Sequence, residues 1–129
     1  MNEFKLIVAG GRDFLDYTLL GHELMHLVIG PLAPYKDHDV SIVSGMARGA
    51  DALGAKCARA NGVQLYEFPA DWDKHGKRAG FMRNEQMGNF ADGLVAFWDG
   101  KSKGTKHMID FMQCSMAKPV HIVHYGVAT

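Results

Sequence analysis

The sequence has little of several features that mark common protein classes. Its 129 residues include only two cysteines, Cys57 and Cys114, neither in a CxxC pair, which excludes a disulfide scaffold. No apolar run approaches the ~20 residues that cross a bilayer, and the N-terminus lacks the basic-then-apolar order of a signal peptide. Fourteen basic residues balance fourteen acidic ones, which disfavours nucleic-acid binding through bulk charge. We therefore expect a cytoplasmic protein that binds no membrane.

The common cofactor and metal motifs are absent or poorly placed. Neither GxxxxGK[ST] nor a GxGxxG after the first predicted strand occurs, which argues against P-loop NTPases and NAD-type dehydrogenases. Residues 22–26 match the zinc-protease pattern HExxH. However, the apolar stripe of Leu20, Leu24, Leu27 and Val28 places both histidines on the opposite, solvent side of the helix. We expect no metal and no cofactor.

Strand-like and helix-like segments alternate along the chain. The patterns predict strands over 4–9, 40–44, 63–68, 94–98 and 120–124, and helices over 14–29, 48–60, 78–90 and from about 105 to Pro119. The first helix has Asp13 at its expected N-cap, and loops are predicted over 30–39 and 69–77. This order predicts an α/β fold: a Rossmann-like three-layer sandwich, with a parallel five-stranded sheet and helices on both faces, forming one domain over residues 1–129.

Three of the predicted strands end in glycine-rich turns, at 10–13, 44–49 and 99–105. Ligands of such sheets bind beyond the carboxyl ends of the strands. Glycine lets the backbone approach a ligand closely, and free N–H groups at the start of a helix attract anions. Three such turns at one sheet edge therefore predict a phosphate or other anion site.

Basic side chains cluster beside this edge. Residues 74–83 contain Lys74, Lys77, Arg78 and Arg83 without an acid, and residues 101–106 contain three further lysines. The arginines are the better phosphate ligands because a guanidinium binds phosphate as a bidentate fork, whereas the lysines favour a solvated surface. In the loop before them, Trp72 could either stack on a base or pack to pin the loop. The two cysteines fall within predicted helices, which places them in or near the core.

Four segments together resemble the YspA/YpsA-related branch of the SLOG superfamily. They are Gly10-Gly11-Arg12-Asp13-Phe14, Ser44 to Asp51, Arg83 to Met87, and Trp98-Asp99-Gly100 through Gly104-Thr105, and the resemblance spans about residues 4–124. It implies a Rossmann-like fold with a pocket for nucleotides or nucleotide-derived ligands. It also implies a sensor or effector of the kind found in phages and mobile elements, and a homo-oligomer.

Two sister groups imply alternative functions. The LOG phosphoribohydrolases, which cleave nucleoside monophosphates, carry an Arg-Lys pair and a glycine motif that ends in Glu. Arg83 matches the Arg, whereas Asn84 replaces the Lys, Asp99 replaces the first Gly and Met108 replaces the Glu. Loss of that carboxylate weakens the expectation of glycosidic hydrolysis, which an oxocarbenium-stabilising carboxylate assists. DprA-type relatives bind single-stranded DNA, which zero net charge disfavours.

We therefore expect binding of a nucleotide or an ADP-ribose-like ligand by a sensor or sequestering protein. An N-glycosidase that uses Asp51 or Glu85 is the alternative. Backbone N–H groups of the three turns would hold phosphate, the arginines would neutralise it, the hydroxyls of Ser102 and Thr105 would donate hydrogen bonds, and Trp72 would cover the base. The candidate ligand-binding residues are Gly10, Gly11, Arg12, Asp13, Ser44, Gly45, Arg48, Gly49, Trp72, Arg78, Arg83, Asn84, Trp98, Asp99, Gly100, Ser102, Gly104 and Thr105.

Overall fold

The computed structural model describes residues 3–28 and 39–126, and five strands and five α-helices alternate along them. The strands are β1 (Glu3–Gly10), β2 (Asp39–Ser44), β3 (Leu65–Glu67), β4 (Gly93–Trp98) and β5 (Val120–His124). The helices are α1 (Tyr17–Val28), α2 (Ala50–Ala60), α3 (Trp72–His75), α4 (Ala79–Phe90) and α5 (Lys103–Asp110). A 3₁₀ turn over Gly76–Arg78 joins α3 to α4, and a π-helical turn over Phe111–Ser115 extends α5.

The sheet is parallel throughout, with the order β3-β2-β1-β4-β5. Apolar side chains cover both faces of β1. Leu6 and Val8 pack with α1 and α2 on one face, and Ile7 and Ala9 pack with α4 and α5 on the other. A strand buried on both faces is typical of a sheet between two helical layers. The predicted Rossmann-like α/β fold is confirmed, and its strand order reverses between β1 and β4.

Helix α2 lies close against the sheet, as its alanine- and glycine-rich sequence predicts. A Cβ built on Gly54 would lie 2.7 Å from Cβ of Val8 in β1. Nothing larger than hydrogen fits at this position without displacing helix or strand. The close packing fixes the start of α2 relative to the end of β1, where the candidate site lies.

The first helix begins three residues later than predicted. It starts at Tyr17, and Oδ1 of Asp16 accepts a 3.0 Å hydrogen bond from the N–H of Leu19. The prediction that Asp13 is the N-cap is therefore wrong. The reason is that Phe14, predicted inside the helix, instead turns into the core and stacks on Phe97 at a centroid distance of 4.7 Å. Residues 29–38, which include most of the predicted loop over 30–39, lie outside the described residues.

The end of the chain shows one further difference from the prediction. The sequence places Met108, Ile109, Met112 and Met116 on one apolar stripe. The first three are buried and Met116 is half-buried, and the helix changes to π geometry at Phe111. Cys114 is exposed, so its predicted core position is wrong. Cys114 follows the buried Met112 by two positions, which places it on the side of the helix opposite the apolar stripe. Cys57 is half-buried beside the core.

Beyond the π-helical turn, the side chain of Lys118 caps the C-terminal end of α4. Its ammonium donates to the carbonyls of Gly88 and Ala91, at 2.8 and 2.7 Å. Among the described helices, none combines the length and apolarity needed to span a membrane.

Candidate functional site

A cavity of about 780 Å³ opens at the carboxyl edge of the sheet, where the strand order reverses between β1 and β4. This is the position that the topology of parallel α/β sheets favours for ligands. A second cavity of about 340 Å³ adjoins it and shares Arg12, Arg48, Trp72 and Arg83 with it. The predicted residues that line the larger cavity are Gly10, Gly11, Arg12, Asp13, Arg48, Asp51, Trp72, Arg83, Asn84, Asp99, Ser102, Gly104 and Thr105.

The first turn, after β1, is held by backbone hydrogen bonds to β4 and to the start of α2. The N–H of Gly11 donates to the carbonyl of Phe97 in β4, and the carbonyl of Gly11 accepts from the N–H of Ala50 at the start of α2. Gly49 has a φ of 82°, and a Cβ there would collide with the carbonyl oxygen of Gly11. Gly49 is not among the cavity-lining residues; it lets the first and second turns touch.

The second turn, after β2, holds a strained residue. Ser44 is buried, and its hydroxyl donates to the carbonyl of Asp51 at 2.9 Å while accepting from the N–H of Met46 at 3.1 Å. Met46 has a φ of 62°, in the left-handed region that non-glycine residues seldom occupy. Such conformations occur preferentially at functional sites. Ser44 thus shapes the turn from behind, while Gly45 lines the smaller cavity.

Asp51 places a buried carboxyl on the cavity wall, in the first turn of α2. Only 5% of the residue is exposed. Burial raises the pKa of Asp51 to about 6, against the opposing effects of the Arg83 charge and of hydrogen bonds from the backbone N–H groups of Ala47 and Gly10. The carboxyl is therefore poised to change protonation state just below neutral pH.

Arg83 places a buried cation opposite that carboxyl, and 9% of the residue is exposed. Nη1 donates to the carbonyl of Gly45 at 2.5 Å, and Nε donates to Oδ1 of Asn84 at 3.1 Å. Burial lowers the pKa of Arg83, while the Asp51 charge acts to raise it. Within residues 3–28 and 39–126, no carboxylate forms an ion pair with Arg83. Part of its guanidinium fork is therefore left to face the cavity.

The third turn, after β4, is built around a second carboxylate. Oδ1 of Asp99 accepts 2.8 Å hydrogen bonds from the N–H groups of Ser102 and Lys101, which lower the pKa of Asp99. Ser102 is the N-cap of α5 and accepts from the N–H of Thr105 at 3.4 Å. The indole of Trp98 donates to the carbonyl of Ser102. Trp98 and Gly100 support this turn and are absent from the cavity wall.

The rim of the cavity is apolar and unusually exposed. Trp72 is 48% exposed, Phe81 is 44% exposed, and Leu15 lies with them on the wall. The Arg12 guanidinium lies 5.9 Å from the centre of the Trp72 ring, in a cation–π contact. Trp72 begins the short helix α3, which lies within the predicted loop over 69–77. Large exposed apolar side chains around a polar floor are typical of a ligand site.

Sequence reasoning missed several wall residues. Lys77 lines the cavity, whereas Arg78, favoured because of its guanidinium, does not. Helical spacing could have identified Gly80 and Phe81, because each lies three positions before Arg83 or Asn84 and shares the same face of the helix. The missed wall residues are Ala9, Leu15, Ala47, Lys77, Gly80, Phe81 and Met108.

The two predicted catalytic carboxylates do not meet. Asp51 lines the cavity, but Glu85 is absent from its wall and lies with Oε2 3.5 Å from Nε2 of His107. Met108, which stands where the phosphoribohydrolases carry Glu, is buried on the wall. Among the buried residues of that wall, Asp51 supplies the carboxyl group.

The histidines of the HExxH match lie away from this cavity. His22 and His26 are exposed on α1, with their Nε2 atoms 3.0 Å apart, while Leu20, Leu24 and Leu27 face the core. This is the orientation that the apolar stripe predicts. In the described part of the chain, no three side chains of the metal-binding types converge.

Comparison with known proteins supports the family resemblance and the Rossmann-like fold that it implies. The family model of the YspA, cpYpsA-related SLOG family matches residues 4–75, which is more than half of the chain. The Gene 61 protein of Mycobacterium phage D29 is 30% identical over 128 residues, covering 95% of this chain and 96% of the phage protein. No solved structure matches the chain. On the family match and the near-complete overlap with the phage protein, the chain belongs to the YspA, cpYpsA-related SLOG family.

Proposed function

We propose that this protein binds a nucleotide or a nucleotide-derived ligand of the ADP-ribose kind, and that it acts as a sensor or sequestering protein. The observation that carries the proposal is the buried guanidinium of Arg83, which forms no direct ion pair with a carboxylate among the described residues and lines a cavity at the sheet edge. The Asp51 charge offsets part of the cost of burying Arg83, but a buried cation without a direct ion pair remains unfavourable in the free protein. An anionic ligand would satisfy it.

Phosphate is the anion that the surroundings favour. Arg12, Arg48 and Lys77 line the same cavity at exposed positions, so their charges stay solvated in the free protein and can reach a ligand at the mouth of the cavity. The N–H groups of Gly11, Ser102 and Thr105 already donate to groups within the protein, so the cationic side chains would make most of the contacts with phosphate. Of the three wall carboxylates, Asp13 and Asp99 accept hydrogen bonds from Tyr125 and from the third turn, and Asp51 forms no direct ion pair with the arginines of the wall.

The apolar rim supports a ligand with a flat group beside its phosphate. Trp72 and Phe81 offer two half-exposed aromatic faces to the mouth of the cavity. Base–aromatic stacking contributes about 1–3 kcal/mol per base. A volume of about 780 Å³ also falls within the range of small-molecule sites, which is roughly 300–1,000 Å³. A mononucleotide or a larger nucleotide derivative fits this description better than inorganic phosphate does.

Hydrolysis of an N-glycosidic bond is a second candidate, favoured by Asp51 alone. A carboxyl with a pKa of about 6 on the wall of a ligand cavity has the protonation behaviour of a general acid. Met108 supplies no carboxylate at the position where hydrolytic relatives carry Glu, and Glu85 lies outside the wall. We therefore rank binding above turnover.

Calorimetric titration with AMP and with ADP-ribose tests the proposal. Arg83→Ala should weaken binding by about 1–3 kcal/mol, because it removes charged hydrogen bonds to phosphate. Arg78→Ala is the matched control, since Arg78 lies nearby but outside the wall, and it should bind like the parent protein. If the parent binds neither compound, or if both variants bind equally well, the proposal is wrong.

Two further measurements separate binding from turnover and report assembly. Native mass spectrometry should release a nucleotide or an ADP-ribose derivative from the purified protein, and it should reveal the homo-oligomer that we propose. A clean monomer of 14.2 kDa would contradict assembly. In a base-release assay on nucleoside monophosphates, activity that Asp51→Asn abolishes would favour the glycosidase instead.

A further inference from the structure

A chain of polar side chains runs behind the cavity from the surface of α4 to Arg83, joined by hydrogen bonds and, at its outer end, by an ion-pair contact. Oε2 of Glu85 lies 3.5 Å from Nε2 of His107. Nδ1 of His107 lies 3.3 Å from Nδ2 of Asn84, and Oδ1 of Asn84 accepts from Nε of Arg83 at 3.1 Å. Arg83 then donates to the carbonyl of Gly45 in the second glycine turn. The chain thus connects α5, α4 and the turn after β2.

The chemistry of these groups fixes the direction of every hydrogen bond. Nε of Arg83 can only donate, so the amide oxygen of Asn84 must face it and the amide nitrogen must face His107. That nitrogen also donates to the carbonyl of Gly104 at 3.1 Å, which confirms its orientation. Because an amide nitrogen only donates, Nδ1 of His107 must be the acceptor. The network therefore assigns the ring proton to Nε2, on the side of Glu85.

The imidazole is held in this orientation by aromatic neighbours. The Phe81 ring packs edge-on at a centroid distance of 4.6 Å, and the Phe111 ring lies roughly parallel at 6.3 Å. Phe81 belongs to α4 and Phe111 to the turn that follows α5, so the ring of His107 is wedged between the two helices. Rotation of the ring would break its contacts with Asn84 and with Glu85.

We propose that His107 and Glu85 are positioning residues that orient Arg83 for the ligand through Asn84. This rests on the proposed function only in so far as Arg83 is taken as the ligand of the anion. The acceptor at Nδ1 holds the Asn84 amide in the orientation that engages Nε of Arg83, and the Glu85 carboxylate retains the proton on Nε2. The open part of the guanidinium fork is thereby directed into the cavity. Bidentate recognition depends on such fixed geometry.

The first test needs no ligand. Nitrogen NMR of the purified protein should show His107 as the Nε2–H tautomer, with a distinct, slowly exchanging signal from Nε–H of Arg83. His107→Leu should shift that signal and speed its exchange with water. His107→Asn should restore it, because the amide oxygen of asparagine can accept where Nδ1 does. Lys106→Ala is the control, since it removes only an exposed ion pair with Asp110 on the same helix. An unchanged Arg83 signal in His107→Leu would overturn the proposal.

The second test uses ADP-ribose as the probe in a double-mutant cycle. His107→Leu should weaken binding about threefold to tenfold in the parent protein and have no further effect when Arg83 is already alanine. His107→Asn and Lys106→Ala should bind within about twofold of the parent. Equal losses in both Arg83 backgrounds would show that His107 acts elsewhere and would overturn the proposal. If the parent binds no ADP-ribose, the proposed function fails, while the NMR test still decides whether His107 positions Arg83.

Discussion

The hydroxyl of Tyr125 donates a 2.6 Å hydrogen bond to Oδ1 of Asp13, which joins the segment after β5 to the turn after β1. The same ring packs edge-on against Phe14 at 4.9 Å. Its hydroxyl lies directly over Gly11, where a Cβ would occupy the same space. The shape of the first glycine turn is thus set by a residue that lies 112 positions away in sequence.

Removal of that hydroxyl should loosen the turn. We expect Tyr125→Phe to lower the free energy of unfolding by about 1 kcal/mol, measured by urea denaturation, and to weaken ligand binding. Tyr66→Phe is the matched control, because the Tyr66 hydroxyl donates a similar 2.7 Å bond to Glu3 at a distance from the cavity. Tyr66→Phe should lower the free energy of unfolding and leave ligand affinity unchanged. Equal ligand affinity in Tyr125→Phe and the parent would contradict a role for Tyr125 in the site.

A methyl group at Gly45 should displace two charged side chains of the cavity wall, those of Arg83 and Asp51. An ideal Cβ there would lie 2.7 Å from both Nη1 of Arg83 and Oδ2 of Asp51. We expect Gly45→Ala to weaken nucleotide binding about tenfold or more, because both groups must move. Calorimetric titration measures the effect.

Gly21→Ala is the control for that substitution. Gly21 lies within α1, and a Cβ added there would meet no other atom within 4 Å, so alanine should stabilise the helix by about 0.5–1 kcal/mol. Its ligand affinity should equal that of the parent. If Gly45→Ala bound ligand equally well, the wall at Gly45 would play no part in recognition.

The ionisation of Asp51 should make stability depend on pH. The pKa of Asp51 is about 6 in the folded protein, above the value of 3.8 for a free aspartate, so the folded state binds more protons between these values. The free energy of unfolding should therefore fall as pH rises from about 4 to above 6, by up to about 3 kcal/mol from this residue. Asp51→Asn removes that dependence, so its stability relative to the parent should increase across the window.

Urea denaturation of both proteins at several pH values checks this prediction. Asp99 should make the free energy of unfolding depend on pH in the opposite direction, because hydrogen bonds from Ser102 and Lys101 lower the pKa of Asp99. Asp99→Asn removes this dependence. The stabilising effect of Asp99 is present above its unfolded pKa and is lost as pH falls. A difference between Asp51→Asn and the parent that is constant with pH would contradict the raised pKa.

The close contact of α2 with the sheet should make Gly54 intolerant of substitution. A Cβ on Gly54 would lie 2.7 Å from Cβ and Cγ1 of Val8, both within the core. We expect Gly54→Ala to lower the free energy of unfolding by about 1–3 kcal/mol, as overpacked cores do. Thermal denaturation measures it, and Gly21→Ala again serves as the helix control. A gain in stability from Gly54→Ala would mean that α2 can move away from β1 at little cost.

Most of the fold could be predicted because burial leaves a strong periodic signal. The apolar runs of β1, β2 and β4 are buried on both faces, so their sequences read as continuous hydrophobic segments. In the predicted stripe of the last helix, Met108, Ile109 and Met112 likewise face the core, whereas Met116 is half-buried. Helix starts were harder, since Asp13 and Asp16 offer the same cap chemistry and only the packing of Phe14 decides between them.

The candidate site was predictable where local geometry determines it and not where tertiary packing does. Strand order brings the three glycine turns to one edge, and backbone rules for parallel sheets anticipate this. Whether Lys77 or Arg78 faces the cavity depends on a 3₁₀ turn that joins two helices, which residue type does not reveal. The separation of Glu85 from Asp51 depends on which way α4 is rotated against the sheet, and that is set by packing at Met87.

The central position of β1 has a consequence for incomplete chains. The register pairs residues 6–10 of β1 with residues 93–97 of β4, which are synthesised more than eighty positions later. A fragment that ends before Gly93 would leave one side of β1 without hydrogen-bond partners, and Ile7 and Ala9 would lose the part of their cover that α5 provides. Exposed apolar strands of this kind recruit other chains. Shortened products should therefore aggregate rather than persist as partly folded monomers.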